Sequence, residues 1–144
     1  MTNNEFRMDF PSLSANESFA RVAVASFVSQ LDPTLDELAD IKTAVSEAVT
    51  NCIVHGYKEE IGKIYITAKL LEDRRVVITV RDRGCGIPNI QQAMEPCFTT
   101  APEEERSGMG FTIMQTFMDK LRVLSKPGSG TKITMEKKIK CRRR

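Results

Sequence analysis

The sequence predicts a single α+β domain built as a two-layer sandwich, with a mixed sheet covered by helices on one face. Three observations favour this class. Apolar residues recur at helical spacing in residues 14–31 and 33–55, apolar and polar residues alternate in residues 63–82, and further alternating segments lie near both chain ends. The 144 residues suffice for one domain with a real core, so we expect that domain to span residues 1–144.

The composition is that of an ordinary globular chain, 41% hydrophobic and 28% charged, with a formal net charge of +2. This charge is too small to argue for nucleic acid binding, so we expect no direct contact with nucleic acid and none with a membrane. No signal-peptide pattern and no long apolar run is present, which favours a cytoplasmic protein with reduced thiols. We expect residues 140–144 to form a frayed basic tail; a basic docking arm is the alternative.

The first elements are predicted to be an edge strand and a helix. The strand covers Glu5–Phe10, begins close to the chain end and offers a free edge for pairing with a second copy, which predicts a homodimer. Ser14 and Glu17 match a capping box, S-x-x-E, that opens a helix to about residue 31. Arg21 falls outside its apolar stripe, either as a solvated charge or as an interface anchor. That stripe is predicted to consist of Phe19, Val22, Ala23, Phe27 and Leu31.

The second helix carries the polar residues on which the functional hypothesis depends. We expect it to begin at Pro33, with Asp32 as its cap, and to run to His55. Glu47 and Asn51 lie one turn apart beside the buried face. An amide oxygen can ligate Mg²⁺ and a carboxylate can accept a proton from a nucleophile; a solvated helix face is the alternative. The apolar stripe is predicted to consist of Val45, Ala48, Val49, Cys52 and Ile53.

A hairpin of two alternating strands, Lys63–Leu71 and Val76–Asp82, places a carboxylate at the end of the sheet. Asp82 shares a face with the apolar residues of its strand, so its side chain is expected to be partly buried and to need a hydrogen-bond donor. Gly84 and Gly86 follow, and they let the backbone turn tightly and let a flat ligand come close. A plain turn is the alternative interpretation.

A polar segment bounded by prolines, residues 96–107, is predicted to be a surface loop that can act as a lid. It leads into Gly108 and Gly110, which open a helix to about Lys120. Free backbone N–H groups and the positive dipole end at such a helix start favour phosphate. A glycine-rich hinge without a ligand is the alternative.

The last hairpin is predicted to consist of Leu121–Ser125 and Thr131–Ile139, joined by a turn rich in glycine. Thr131 enters its strand beside the glycine pair. It can hydrogen-bond Asp82 or a ligand there; an ordinary strand threonine is the alternative. Together, the carboxylates, the amide and the glycine-rich turns describe an ATP site that is neither a P-loop nor a typical protein kinase site.

The order E-x-x-x-N, D-x-G-x-G, G-x-G resembles the GHKL (Bergerat) ATPase fold shared by gyrase, Hsp90 and histidine kinases. Longer segments, among them residues 45–51 and 105–114, resemble the anti-sigma F family of sporulation protein-serine kinases. The resemblance runs from about Phe6 to Ile139. One departure lies in the lid, where Ala101 stands at a position that the family fills with lysine.

The resemblance implies a role for each matching residue. Glu47 would be the base for the substrate serine hydroxyl, Asn51 would hold Mg²⁺, and Asp82 would bond the adenine amino group. Arg21 would contact protein partners, and Arg106 would lie near the phosphates or the substrate. The remaining ATP-binding residues would be Gly84, Gly86, Thr99, Thr100, Ser107, Gly108, Met109, Gly110 and Thr131.

The resemblance also implies a function: a factor that holds a sporulation sigma factor, sigma F, inactive and uses MgATP to phosphorylate a serine of an anti-anti-sigma factor. A nucleotide-gated binding module without kinase activity is the alternative, and Glu47 counts against it because binding alone needs no base. The catalytic domain of a histidine kinase is a second alternative. It needs a phosphoacceptor histidine, and the one histidine, His55, lies in the ATP-site helix.

Overall fold

A computed structural model describes residues 2–87 and 110–140 as a five-stranded sheet with helices packed on one face. The strands are β1 (Thr2–Pro11), β2 (Lys63–Leu71), β3 (Arg75–Asp82), β4 (Lys120–Lys126) and β5 (Gly130–Lys138). The helices are α1 (Ala15–Val28), α2 (Leu35–Asn51) and α3 (Gly110–Phe117). A 3₁₀ turn, Ser29–Leu31, extends α1, and a π-helical turn, Cys52–Gly56, extends α2.

The strand order is β1-β2-β3-β5-β4, and the four pairings in this part of the chain are all antiparallel. The predicted α+β two-layer sandwich is therefore confirmed, whereas the described sheet is antiparallel rather than mixed. The reason is that β2–β3 and β4–β5 are hairpins, which must be antiparallel, and β5 then pairs antiparallel with β3. The first strand lies at an edge as predicted, although it begins at Thr2 rather than Glu5.

The core lies between one face of the sheet and the apolar stripe of α2. β2 and β3 alternate between buried and partly exposed residues, as the period-two pattern predicts. Four of the five residues predicted for the stripe of α2 are fully buried, and Ile53 packs against the core from a partly buried position. The fully buried residues of this stripe are Ile41, Ala44, Val45, Ala48, Val49 and Cys52.

The buried face predicted for α1 is wrong in part, although Phe27 and Leu31 pack against the core from partly buried positions. Phe19 and Val22 are 55% and 57% exposed, and the core-facing side is formed by smaller residues instead. Small side chains let α1 lie close against α2 and the sheet, so the bulkier positions are left at the margin. Phe19 contacts the edge of the Phe10 ring, with centroids 6.2 Å apart. The buried residues of α1 are Ala20, Val24, Ala25 and Val28.

The capping box predicted at Ser14 is also absent. Ser14 has helical dihedral angles, φ −53° and ψ −36°, and its side chain makes no capping hydrogen bond. Glu17 forms an ion pair with Arg21 instead, with Oε2 3.2 Å from Nη1. Because Ser14 already belongs to the helical turn, its hydroxyl does not reach the first free N–H groups of the helix.

The capping box lies at the start of α2. The backbone N–H of Glu37 donates to Thr34 Oγ1 at 3.0 Å, and the N–H of Thr34 donates to Glu37 Oε1 at 2.9 Å. The helix therefore begins at Leu35 rather than Pro33. Asp32 is not the cap, because it adopts the left-handed conformation, φ 49°, that ends the preceding 3₁₀ turn.

The end of β5 is tied to the helical layer. Arg74 donates to the carbonyls of Leu31, Ile139 and Lys140, and the N–H of Lys140 donates to Glu37 Oε2 at 3.0 Å. The backbone is thus hydrogen-bonded through Lys140, the first residue of the predicted basic tail. The rest of that tail, the lid and the segment before it lie outside the described residues. No helix in the described ranges is both long and apolar enough to span a membrane.

Candidate functional site

Asp82 ends β3 on the core-facing side of the sheet, where its side chain is only 1% exposed. Its Oδ1 accepts a hydrogen bond from the backbone N–H of Gly84 at 2.8 Å. Its Oδ2 is buried and has no hydrogen-bond partner within residues 2–87 and 110–140. A buried carboxylate oxygen without a donor is costly, so this geometry calls for a donor that the described protein does not supply.

The electrostatics of Asp82 agree with this geometry. Burial raises the pKa of the Asp82 carboxyl above its ordinary value, and the N–H of Gly84, the Cys52 thiol and the N–H of Thr131 oppose that rise. The pKa of the Cys52 thiol is itself raised well above its ordinary value by burial and then by the nearby Asp82 charge. The thiol is therefore a neutral neighbour, and a further donor at Oδ2 would stabilise the ionised carboxylate.

Two glycines let the backbone pack closely around Asp82. A Cβ atom at Gly56 would stand 2.7 Å from Asp82 Oδ2, and a Cβ atom at Gly84 would stand 2.0 Å from the carbonyl oxygen of Gly56. The π-helical turn at the end of α2 brings Gly56 into this position. Sequence reasoning missed Gly56 as a site residue, because its role depends on a contact with a strand 26 positions later in the chain.

Hydrogen bonds hold the glycine-rich loop in place from both sides. The N–H of Cys85 donates to the carbonyl of Gly56 at 2.9 Å, and the Cys85 thiol donates to the carbonyl of His55 at 3.1 Å. On the other side, the N–H of Gly128 donates to the carbonyl of Cys85 at 2.7 Å. Gly86 has φ +77°, a conformation that favours glycine. The loop after Asp82 is therefore preorganised.

Thr131 lies beside Asp82, as predicted, but its hydroxyl has another partner. The two residues face each other across the β3–β5 ladder, and Thr131 is buried. Thr131 Oγ1 lies 2.9 Å from Ser125 Oγ, which also accepts a hydrogen bond from the N–H of Ile87 at 2.6 Å. Ser125 thus joins the wall of the site, and sequence reasoning gave no signal for it beyond its place opposite Thr131.

Glu47 and Asn51 occupy the last turns of α2, where Asn51 is buried and Glu47 is partly exposed. A Cβ atom at Gly110 would stand 3.3 Å from Glu47 Oε2, so the carboxylate lies beside the first residue of α3. In the described part of the chain, no group of three His, Cys, Asp or Glu side chains is arranged to hold a metal ion. Asn51 offers an amide oxygen, a type of ligand that Mg²⁺ accepts.

Glu47 also shares a groove with Arg21. The groove lies between α1 and α2, has a volume of about 540 Å³, and includes Glu17, Lys42 and Ser46 in its lining. The residues that sequence reasoning assigned to catalysis and to partner contact are therefore neighbours on one surface. Gly110 opens α3 as predicted, although that helix ends at Phe117. The predicted site residues outside the described ranges are Thr99, Thr100, Arg106, Ser107, Gly108 and Met109, and Ala101 lies there too.

The described geometry is a buried carboxylate beside a glycine-rich loop, at the end of a sheet that helices cover on one face. Residues 10–137 match the family described as the histidine kinase-like ATPase domain, which is most of the chain. The chain therefore belongs to the histidine kinase-like ATPase domain family. Family membership implies a nucleotide site, in agreement with the orphaned oxygen of Asp82.

Curated relatives are similar over nearly the whole chain. An anti-sigma F factor of Clostridium beijerinckii is 58% identical over 140 residues, which cover 96% of this chain and 97% of the relative. An anti-sigma F factor of Bacillus subtilis is 58% identical over 137 residues, which cover 94% of this chain and 93% of the relative. The resemblance to the anti-sigma F family predicted from the sequence is thus confirmed.

Solved structures agree on the fold. The RsbU and RsbW domains of a Mycobacterium tuberculosis protein superpose with a TM-score of 0.68 and 19% identity, covering 95% of this chain and 32% of that one. The histidine kinase domain of a blue-light activated histidine kinase from Erythrobacter litoralis superposes with a TM-score of 0.56 and 18% identity. The match covers 90% of this chain and 62% of that one. The chain spans about a third of the first structure, and at these identities the likeness shows the fold alone.

Proposed function

We propose that this chain is a cytoplasmic anti-sigma factor that is also an ATP-dependent protein-serine kinase. It would hold a sporulation sigma factor, sigma F, inactive, and it would phosphorylate a serine of an anti-anti-sigma factor. The names of the curated relatives support the sigma-factor part. The observation that carries the nucleotide part is the buried Oδ2 of Asp82, which packs against Gly56 and has no donor among the described residues.

The adenine amino group is the donor that suits this oxygen. A planar base would lie against the preorganised glycine loop, and its exocyclic N–H would complete the hydrogen bonding of Asp82. Gly84 and Gly86 shape this pocket, and Thr131 closes its wall through Ser125. ADP and ATP share this base, so both are ligands of the proposed pocket.

The phosphates would extend from the base toward Glu47 and the start of α3. Backbone N–H groups at Gly108, Met109 and Gly110 suit phosphate oxygens, with Thr99, Thr100, Arg106 and Ser107 contributing from the lid. The amide oxygen of Asn51 would hold Mg²⁺, which neutralises phosphate charge when it is bound. For the residues outside the described ranges, these roles are inferred from the sequence motif alone.

Glu47 is the residue that favours a kinase over a binding module. Its carboxylate lies beside Gly110, at the end of the site where the terminal phosphate would lie, and it also faces the groove that contains Arg21. A serine side chain that enters along this groove would meet a proton acceptor as its oxygen attacks the phosphate. A nucleotide-gated binding module without kinase activity is the second candidate, and it assigns no task to Glu47.

We propose a homodimer formed at the β1 side of the sheet. β1 is an edge strand, and apolar side chains beside it remain exposed: Leu13, Phe19 and Val22. An exposed apolar patch next to a free strand edge suits a self-complementary contact with a second copy. Arg21, on the same helix, lines the groove that it shares with Glu47. Sedimentation equilibrium of the full chain tests the dimer, and a monomer at micromolar concentration would contradict it.

The function is tested by incubating the protein with γ-labelled ATP, Mg²⁺ and the anti-anti-sigma factor of the same organism. Label on a serine of that factor is the expected result, together with retention of sigma F in the presence of nucleotide. Retention of sigma F without any labelling would favour the binding module. Labelling of a histidine would favour the histidine kinase alternative.

A further inference from the structure

The sheet face opposite the helices carries a compact group of positive charges. β3, β5 and β4 each place cations on this open face, at the end of the sheet where Asp82 lies. Arg83 follows β3 directly, and its guanidinium lies 5.1 Å from the centre of the Tyr65 ring on the same face. All five cations are exposed. We call this group the basic patch: Arg81, Arg83, Arg122, Lys126 and Lys132.

The cations of the basic patch are close neighbours across the strands. Arg81 pairs directly with Lys132 in the β3–β5 ladder, and Lys132 pairs with Leu124 in the β4–β5 ladder. Like charges directly opposite each other destabilise a sheet. No ion pair in the described part of the chain offsets this repulsion for any of the five. The arrangement is therefore unfavourable for the isolated chain and favourable for an anionic partner.

Elsewhere on the same face, three cations have carboxylate partners. Lys63 Nζ lies 3.7 Å from Asp9 Oδ1. Arg75 and Lys120 both pair with Glu136, at 3.1 Å and 3.4 Å. Carboxylates therefore flank the basic patch toward β1 and toward the far end of the sheet. These carboxylates are already paired, whereas the five cations of the basic patch are not, so the geometry suits a short anionic segment on the patch.

An apolar side chain lies within the basic patch. Leu124 is 53% exposed, although it occupies the same cross-strand row as Arg81 and Lys132. A nucleic acid backbone would bring phosphates and sugars to this row and would gain little from an aliphatic contact. A peptide can bring both carboxylates and an aliphatic side chain. The combination thus favours a protein ligand over a nucleic acid.

We propose that the basic patch is a docking site for a short acidic segment of a partner protein, with an aliphatic residue of that segment seated on Leu124. The site is separate from the proposed nucleotide pocket. Arg81 and Arg83 flank Asp82 in the chain but point to the opposite face of the sheet. A partner bound here would leave the helical face accessible, and its binding does not depend on nucleotide.

The test uses a fluorescein-labelled peptide of alternating glutamate and leucine, titrated with the full-length protein and followed by fluorescence anisotropy. The variant Arg81→Gln/Arg122→Gln/Lys132→Gln removes three charges from the basic patch. The matched control, Lys63→Gln/Lys120→Gln/Lys138→Gln, removes three exposed charges from the same face outside it. We expect the patch variant to bind about tenfold more weakly than wild type, and the control to stay within about twofold.

Leu124→Thr tests the apolar contact without changing the charge, and we expect it to lower the affinity for the peptide by about threefold. Circular dichroism verifies that each variant is folded. If the triple variant does not fold, the single variant Lys132→Gln takes its place. Equal losses in the patch variant and the control would overturn the proposal, because net charge alone would then explain the binding. Absence of binding to wild type would overturn it too. Tighter binding of a labelled oligothymidine, lost in the patch variant, would identify the site as one for nucleic acid instead.

Discussion

Gly56 and Asp82 form the central contact of the candidate site: a Cβ atom at Gly56 would stand 2.7 Å from Asp82 Oδ2. The same oxygen is buried and has no hydrogen-bond donor in the described part of the chain. The end of α2 and the end of β3 therefore approach closely enough to exclude a methyl group while leaving a polar atom unsatisfied. Such a combination is expected of a pocket shaped for a ligand that brings its own donor.

Gly56→Ala should weaken ADP binding, because the added methyl group displaces the Asp82 carboxylate or occupies the approach to it. We expect a loss of at least about tenfold in affinity by isothermal titration calorimetry, equivalent to about 1.4 kcal/mol. Thermal melting verifies that the variant is folded. A folded variant with wild-type ADP affinity would remove Gly56 from the pocket.

Asp82→Asn should stabilise the unliganded protein and weaken the binding of ADP. The substitution removes a buried charge whose second oxygen has no donor, so we expect the free energy of unfolding in urea to rise by about 1 kcal/mol. The amide can turn its own N–H toward the adenine amino group, which lowers ADP affinity. Asp9→Asn removes an exposed carboxylate as a control and should alter neither quantity. Lower stability together with unchanged ADP affinity would contradict the assignment.

ADP affinity should fall as the pH is lowered toward the raised pKa of the Asp82 carboxyl. A donor at Oδ2 favours the ionised form, so protonation competes with the nucleotide. The free energy of unfolding depends on pH in the opposite sense to ADP affinity. Because the pKa is raised on folding, the contribution of this group to stability is complete below its unfolded pKa and is lost as the pH rises through the folded pKa. Titrations of wild type and Asp82→Asn across this range isolate the effect, and identical pH profiles would rule it out.

Thr34→Ala should destabilise the protein by about 1 kcal/mol, because it removes the side-chain acceptor of the capping box on α2. Ser14→Ala is the matched control, since Ser14 makes no capping hydrogen bond and the change should be close to neutral. Urea unfolding of both variants measures the difference. Equal losses of stability in the two variants would contradict the conclusion that Thr34 caps its helix and Ser14 does not.

The pair of capping sequences also shows where sequence reasoning reaches its limit. Ser14 with Glu17 and Thr34 with Glu37 both satisfy the S/T-x-x-E pattern, and the backbone conformation before each helix decides which one caps. In α1, two overlapping apolar stripes have helical spacing. The smaller residues are buried because α1 packs closely on its neighbours, which is a tertiary effect that periodicity does not report.

The strands and the orientation of Asp82 could be predicted from the sequence, because the pattern of a strand allows only one choice of buried face. A strand has a strict period of two, so the burial of Val76, Ile78 and Val80 requires that Asp82 face the core as well. The stripe of α2 was equally clear, because its apolar residues form a single face. Gly56 and Ser125 were not predictable, since each enters the site through contacts between segments that are distant in the chain.

Glu47→Gln tests the central claim most directly, because it removes the proposed base while keeping the size and polarity of the side chain. The measurement is single-turnover transfer of labelled phosphate from ATP to the serine of the anti-anti-sigma factor, with ATP affinity measured on the same samples. We predict unchanged ATP affinity and a rate lowered by about 10²–10⁴-fold. A rate near that of wild type, with ATP bound, would contradict the proposal that Glu47 makes this fold a serine kinase.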